Sequence, residues 1–278
     1  MKQSSELTII RPTSGLGQLR LREIWKFREL LFILASRNVS VRYKQAAIGV
    51  LWVVLQPVIM TTIFTIIFSR LARFSAGDVP YPLHIISGLV LWQFFSASIN
   101  GGGASLVDNK AMLTKIYFPR LILPMSMVLG CVIDFTAAFV VVIGLMIWYG
   151  IMPGWQVVFA PLFLLLAFII SFGLATMASA INVLYRDVGI ALPYFLQVWM
   201  YATPIIYPLR VVPESYHWIL ALNPMTGIIE GFRWSLLAGR ADMPSAQMLL
   251  LSLATGAIVL ACGLIVFLRL ERVVIDEI

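Results

Sequence analysis

Residues 46–68 form a run of 23 without a single charge. As a helix rising ~1.5 Å per residue this run measures ~35 Å, enough to cross the ~30 Å hydrocarbon core of a bilayer. Arg42 and Lys44 stand just before it, and positive charge beside a span sets the side on which the N-terminus stays. Five further charge-poor runs follow, at 83–99, 121–148, 157–181, 188–207 and 246–268. The chain is 60% hydrophobic and 12% charged, against roughly 25% charged in a soluble domain. So much apolar surface has no place in a water-soluble core, and the expected fold is an all-α integral membrane protein with six transmembrane helices.

Charge gives the expected orientation. Fifteen Lys and Arg fall on one side of the six spans and five on the other if both termini are cytoplasmic, as the positive-inside rule favours. The net charge of +7 lies mostly beside spans, where it meets anionic lipid rather than nucleic acid. Cys131 and Cys262 both sit in apolar runs, which speaks against a disulfide or a zinc site. Residues 1–18 read as a flexible tail without a cleavable signal. Over 19–34 an apolar arc (Leu21, Ile24, Trp25, Phe27, Leu31, Phe32, Leu34) faces a polar one (Arg22, Glu23, Lys26, Glu29), with Arg28 snorkelling from the apolar side. This pattern suits a helix in the membrane interface or one packed on another protein. Residues 19–278 are then one transmembrane domain.

Two places break the apolar pattern. Residues 217–238 are interrupted by Asn223-Pro224, Glu230 and Arg233. They read as a re-entrant hairpin of two short helices between spans five and six, or as an amphipathic external loop. Asp134 is the one acid deep in a span. It is either a channel-lining polar site or the partner of a neighbouring helix. Gly101, Gly102 and Gly103 lack the following Lys of a P-loop and read as a flexible exit from the second span. The chain thus carries no ATP site of its own, and no metal or other cofactor is expected in it.

Five stretches carry a family resemblance: RYKQAAIGVLWVVLQP from Arg42, NKAMLTKIYFPRLILP from Asn109, NVLYRDV from Asn182, TPIIYP from Thr203 and LNPMTGIIEGFR from Leu222. Over about residues 25–270 the chain resembles the membrane subunits of ABC-2 type exporters for polysaccharides and polyol phosphates, the group that moves O-antigens, teichoic acids and some capsules. The resemblance implies that two copies pair in a bacterial inner membrane above two P-loop ATPase subunits, which hold ATP and Mg. It implies that a lipid-linked glycan passes between the copies. It places ATPase docking on Arg22, Lys26 and Glu29 of the first helix and on Asn109, Lys110 and Lys115 of the loop. The hairpin with Asn223, Pro224, Glu230 and Arg233 would gate the outer end. Among the aromatic residues, whose flat faces suit pyranose C–H groups, Trp52, Trp92, Phe95 and Trp199 are channel candidates beside Asp134. The alternative from another class is a membrane transferase acting on lipid-linked sugars, which needs clustered carboxylates and a divalent metal. Asp108, Asp187 and Glu230 are scattered instead.

Overall fold

The computed structural model describes residues 21–44, 49, 51–237 and 239–277, with backbone alone for 21–22 and 272–277. The expected tail over 1–18, the side chain of Arg22 and the start of the first span lie outside these residues. Every regular element described is helical. In chain order they are α1 (Leu21–Lys26), α2 (Arg28–Lys44), α3 (Leu51–Phe64, continued by a π-helical turn over Thr65–Leu71), α4 (Tyr81–Asp108), α5 (Lys110–Leu113), α6 (Ile122–Trp148), α7 (Ala160–Leu184), α8 (Asp187–Ala202), α9 (His217–Ala221), α10 (Pro224–Leu236) and α11 (Ala246–Glu277). Five helical stretches among the described residues are long and apolar enough to cross a membrane: Leu51–Leu71, Tyr81–Asp108, Ile122–Trp148, Trp155–Leu184 and Ala246–Glu271.

The sixth expected span, 188–207, departs from that length. Its helix, α8, has 16 residues, ~24 Å of helix. It ends because Thr203 is extended (φ −99°, ψ 139°) and Pro204 follows. A residue before proline is pushed out of the α region. The second span is longer than expected, at 28 residues rather than 17. The three glycines at 101–103 do not release the chain but continue α4. A Cβ on Gly102 would come within 2.5 Å of the Ala175 Cβ, and one on Gly103 within 3.2 Å of the Ala178 Cβ. Glycine here lets α4 and α7 touch backbone to backbone, as small residues do between membrane helices. Gly173 and Gly263 bring α7 and α11 together in the same way; a Cβ on Gly173 would lie 2.7 Å from the Leu260 Cα.

α4 is buried along most of its length and packs against α6, α7, α8 and α10. We call its C-terminal end, where α6 starts, the near end, and its N-terminal end the far end. At the near end Leu31, Leu34, Leu106, Phe118, Ile122 and Phe267 form one apolar cluster. It gathers α2, the end of α4, the start of α6 and the last turns of α11. α3 and α8 lie at the periphery. Within α3 only Pro57, Thr61 and Phe64 are buried, and within α8 only Leu196.

The first helix differs from its expected form. The chain breaks at Phe27, and α2 then runs to Lys44, ten residues past the expected end. The apolar arc is divided: Leu31 and Leu34 are buried, while Trp25 and Phe32 are exposed. The guanidinium of Arg28 lies over the exposed Trp25 ring at 5.7 Å. α2 follows the first half of α6, meeting in turn Ser126, Gly130 and Asp134, which share one face of α6 at intervals of four. Asn38 Nδ2 donates to Ser126 Oγ at 3.3 Å. Gly130 leaves room for the Ala35 carbonyl, which would lie 3.4 Å from an added Cβ. Asp134 receives Arg42 and Tyr43. Gly49, at φ +55°, adopts a conformation that a residue with a Cβ disfavours. From there α3 carries on beside the second half of α6.

Candidate functional site

Three regions gather the candidate residues. At the near end, the start of α2 and the loop after α4 come together on one apolar cluster, through Phe27 and Leu30 from one side and Met112 and Leu113 from the other. Lys26, Glu29, Lys110 and Lys115 are exposed around it. Asn109 sits at the junction of α4 and α5, its Nδ2 donating to the Ser105 carbonyl at 2.9 Å. Phe118 is buried and anchors the loop, and Arg120 Nη1 reaches Glu271 Oε1 of α11 at 3.4 Å. Ile116 and Tyr117 stand out of the loop with more than half their surface exposed. Beside this end, Asn182 ties three helices: its Nδ2 donates to the Gly103 carbonyl at 3.0 Å, and its Oδ1 accepts from the Gly189 N–H at 2.9 Å. The NVLYRD stretch is thus a corner joining α7, α8 and α4.

The second region is a cleft of about 510 Å³ between α2, α3, α4 and α6. Trp52, Gln56, Gln93 and Asp134 line it, with Arg42 and Tyr43 at one wall. Asp134 stands twelve residues into α6, ~18 Å along its axis. A lone carboxylate at that depth is unfavourable. Arg42 forms an ion pair with it, and the Tyr43 hydroxyl donates to its Oδ1 at 2.9 Å. Arg42 therefore lies not at the mouth of the first span but against the middle of the third.

The third region, at the far end, is a buried polar node. α10 begins at Asn223, whose Oδ1 accepts from the Met225 N–H at 3.0 Å. Pro224 follows at the first helical position, where its missing N–H is harmless. Asn223 Nδ2 donates to Thr203 Oγ1 at 2.7 Å. Three residues apart on α10, Glu230 and Arg233 meet at 2.6 Å. Arg233 is 1% exposed, and its other nitrogens donate to the His84 and Pro204 carbonyls, both at 3.2 Å. Tyr81 OH donates to the Ile206 carbonyl at 2.7 Å. The non-helical stretch after α8 thus has carbonyls that helix bonding leaves open, and side chains from α4 and α10 fill them. That is the condition under which irregular backbone is tolerated inside a bilayer. On α11, Ser252 Oγ accepts from the Gly227 N–H at 3.1 Å and donates to the Ala221 carbonyl at 3.2 Å, joining α9 and α10.

The aromatic candidates separate. Trp92 and Phe95 are enclosed within the subunit, where they pack on Trp199 with ring centroids 6.1 and 5.4 Å away. Trp52 is half exposed at the cleft. Sequence reasoning passed over a stripe on α8. Tyr194, Gln197 and Tyr201, at spacings of three and four, are all exposed. The signal was present as polar groups at helical spacing in an otherwise apolar run. Among the described residues no His, Cys, Asp or Glu side chains gather as a group that would hold a metal ion.

A family described as "ABC-2 type transporter" matches residues 29–237, the region from the start of α2 to the end of α10. The chain belongs to the ABC-2 type transporter family. It is similar to the O-antigen export system permease protein RfbA of Myxococcus xanthus, 30% identical over 86% of this chain and 92% of the relative. It is also similar to an O-antigen export system permease protein RfbA of Klebsiella pneumoniae, at 28% over 87% and 92%. The polysialic acid transport protein KpsM of Escherichia coli is 24% identical over 76% of this chain and 81% of its own length. The protein is therefore a multi-pass ABC-2 permease, and the ATPase of such a transporter is a separate subunit.

Proposed function

We propose that two copies of this ABC-2 permease form the path by which an ATP-driven exporter moves a lipid-linked polysaccharide across a bacterial inner membrane. Both termini are cytoplasmic in this reading, so the near end faces the ATPases and the far end faces outward. The observation that carries it is the similarity, over most of both chains, to permeases named for O-antigen export. An O-antigen-like glycan is accordingly preferred to a teichoic-acid-like one.

The geometry supports the reading at each step. The exposed charges Lys26, Glu29, Lys110 and Lys115 ring one apolar cluster, so that each of the two copies offers one P-loop ATPase a docking surface, with ATP and Mg held by those partners. α8 and the start of α3, with Trp52, present the faces left for a second copy and a channel. Two phenols and an amide at membrane depth on α8 need a protein partner or water. Tyr194, Gln197 and Tyr201 would offer a passing glycan both aromatic faces and hydrogen-bonding groups. The α9–α10 hairpin, with Asn223, Pro224, Glu230 and Arg233, closes the far end as its gate. Deletion of the gene should strip the glycan from the cell surface and leave its lipid-linked form inside, with synthesis intact. Unchanged surface glycan in the deletion strain would overturn the proposal.

A further inference from the structure

A second groove lies against the far half of α3, away from the polar node. It encloses about 320 Å³ between α3 with its π-helical turn, the start of α4 and the last turns of α6. Its walls include Val58, Val141 and Leu145, and Arg70 stands among the lining residues. Three independent features single it out. The α-helix gives way to a π-helical turn over Thr65–Leu71, and such turns are rare and concentrate at functional sites. Thr61 lines the groove, is 4% exposed, and its hydroxyl has no hydrogen-bond partner among the described residues. Buried hydroxyls are normally satisfied. Arg70 is exposed and has no ion pair among the described residues.

We propose that this groove binds a phospholipid of the surrounding bilayer, its phosphate on Arg70 and one acyl chain along the apolar wall. The chemistry matches in polarity and in order. A cation stands at the end of a span, where headgroups lie, and an apolar trough runs from it towards the hydrocarbon. The site rests on the membrane-spanning reading of α3, α4 and α6; with the orientation proposed above, it lies in the outer leaflet.

Native mass spectrometry of the detergent-purified, ATPase-bound protein tests this without reference to export. Wild-type protein, delipidated and given phosphatidylglycerol, should retain one lipid per permease. Arg70→Gln should weaken retention about tenfold, the loss of one hydrogen bond to a charged group. Thr62→Trp, a change at an exposed position lining the groove, should fill it and abolish retention while the protein stays folded. Equal retention by all three proteins would overturn the proposal. So would a wild-type protein that holds an added polyprenyl phosphate but no phosphatidylglycerol, since the groove would then serve the carrier lipid.

Discussion

Two ion pairs of the same chemistry sit in opposite surroundings. Arg233 and Glu230 lie in the packed far end, with side chains 1% and 10% exposed. Arg42 and Asp134 join the last turn of α2 to the flank of α6, with side chains 35% and 16% exposed. The first pair is wired into its surroundings through the His84 and Pro204 carbonyls. The second has Tyr43 as an additional partner and a cleft beside it. Packing, and not charge, separates their roles. The far-end pair holds the irregular backbone after α8 in one arrangement. The Arg42 pair fastens only the last turn of α2, whose earlier turns are already held by Leu31, Leu34 and Asn38, and can be lost without dismantling the core.

The comparison breaks most readily at Arg233. Arg233→Leu leaves Glu230 buried without its partner and opens two carbonyls. A loss of about 3–5 kcal/mol is expected, as for other buried pairs deprived of one member. Thermal unfolding in detergent should show it, and Glu230→Leu added to Arg233→Leu should recover much of the loss. Recovery of nothing would mean that the carbonyl contacts, and not the stranded carboxylate, dominate.

Smaller effects sharpen the contrast between core and periphery. Gly173→Val drives a side chain into the α11 backbone at Leu260 and should destabilise by about 1–3 kcal/mol, the range for overpacking a tight contact. Asn223→Ala removes the N-cap of α10 and the bond to Thr203, with an expected loss of about 1 kcal/mol. Its melting curve should fall between those of Gly173→Val and wild type. Asp134→Asn should have the least effect, because the amide oxygen still accepts from Arg42 or the Tyr43 hydroxyl, with export largely preserved. A full block of export in Asp134→Asn protein that assembles normally would give the carboxylate a direct part in transport.

Five of the six expected spans were legible in the sequence because lipid demands long charge-free runs. Their ends were less so. Gly101–Gly103 suggested an exit from the second span, yet glycine inside a membrane helix also serves close packing against Ala175 and Ala178. Only the partner helix distinguishes the two uses. The end of α8 was hidden because residues 203–207 stay apolar; Thr203-Pro204 carried the break. Glu230 and Arg233 were visible as interruptions, and their spacing of three permits a pair on one helical face. Nothing in the sequence joins Arg42 to Asp134, 92 residues away. That contact depends on α2 turning to follow α6. The charges proposed for docking were visible beside an apolar helix, but their convergence required the ends of α2, α4, α6 and α11 to meet.

The central claim, a permease that works with separate ATPases, meets its most direct test in affinity purification of the tagged protein from membranes in mild detergent. The account predicts a P-loop ATPase in equal amount with the permease, and its loss when residues 19–34 are deleted although the protein still inserts. A permease that purifies folded and alone, or one that keeps its ATPase without the first helix, would contradict the account: the former the shared assembly, the latter the docking end.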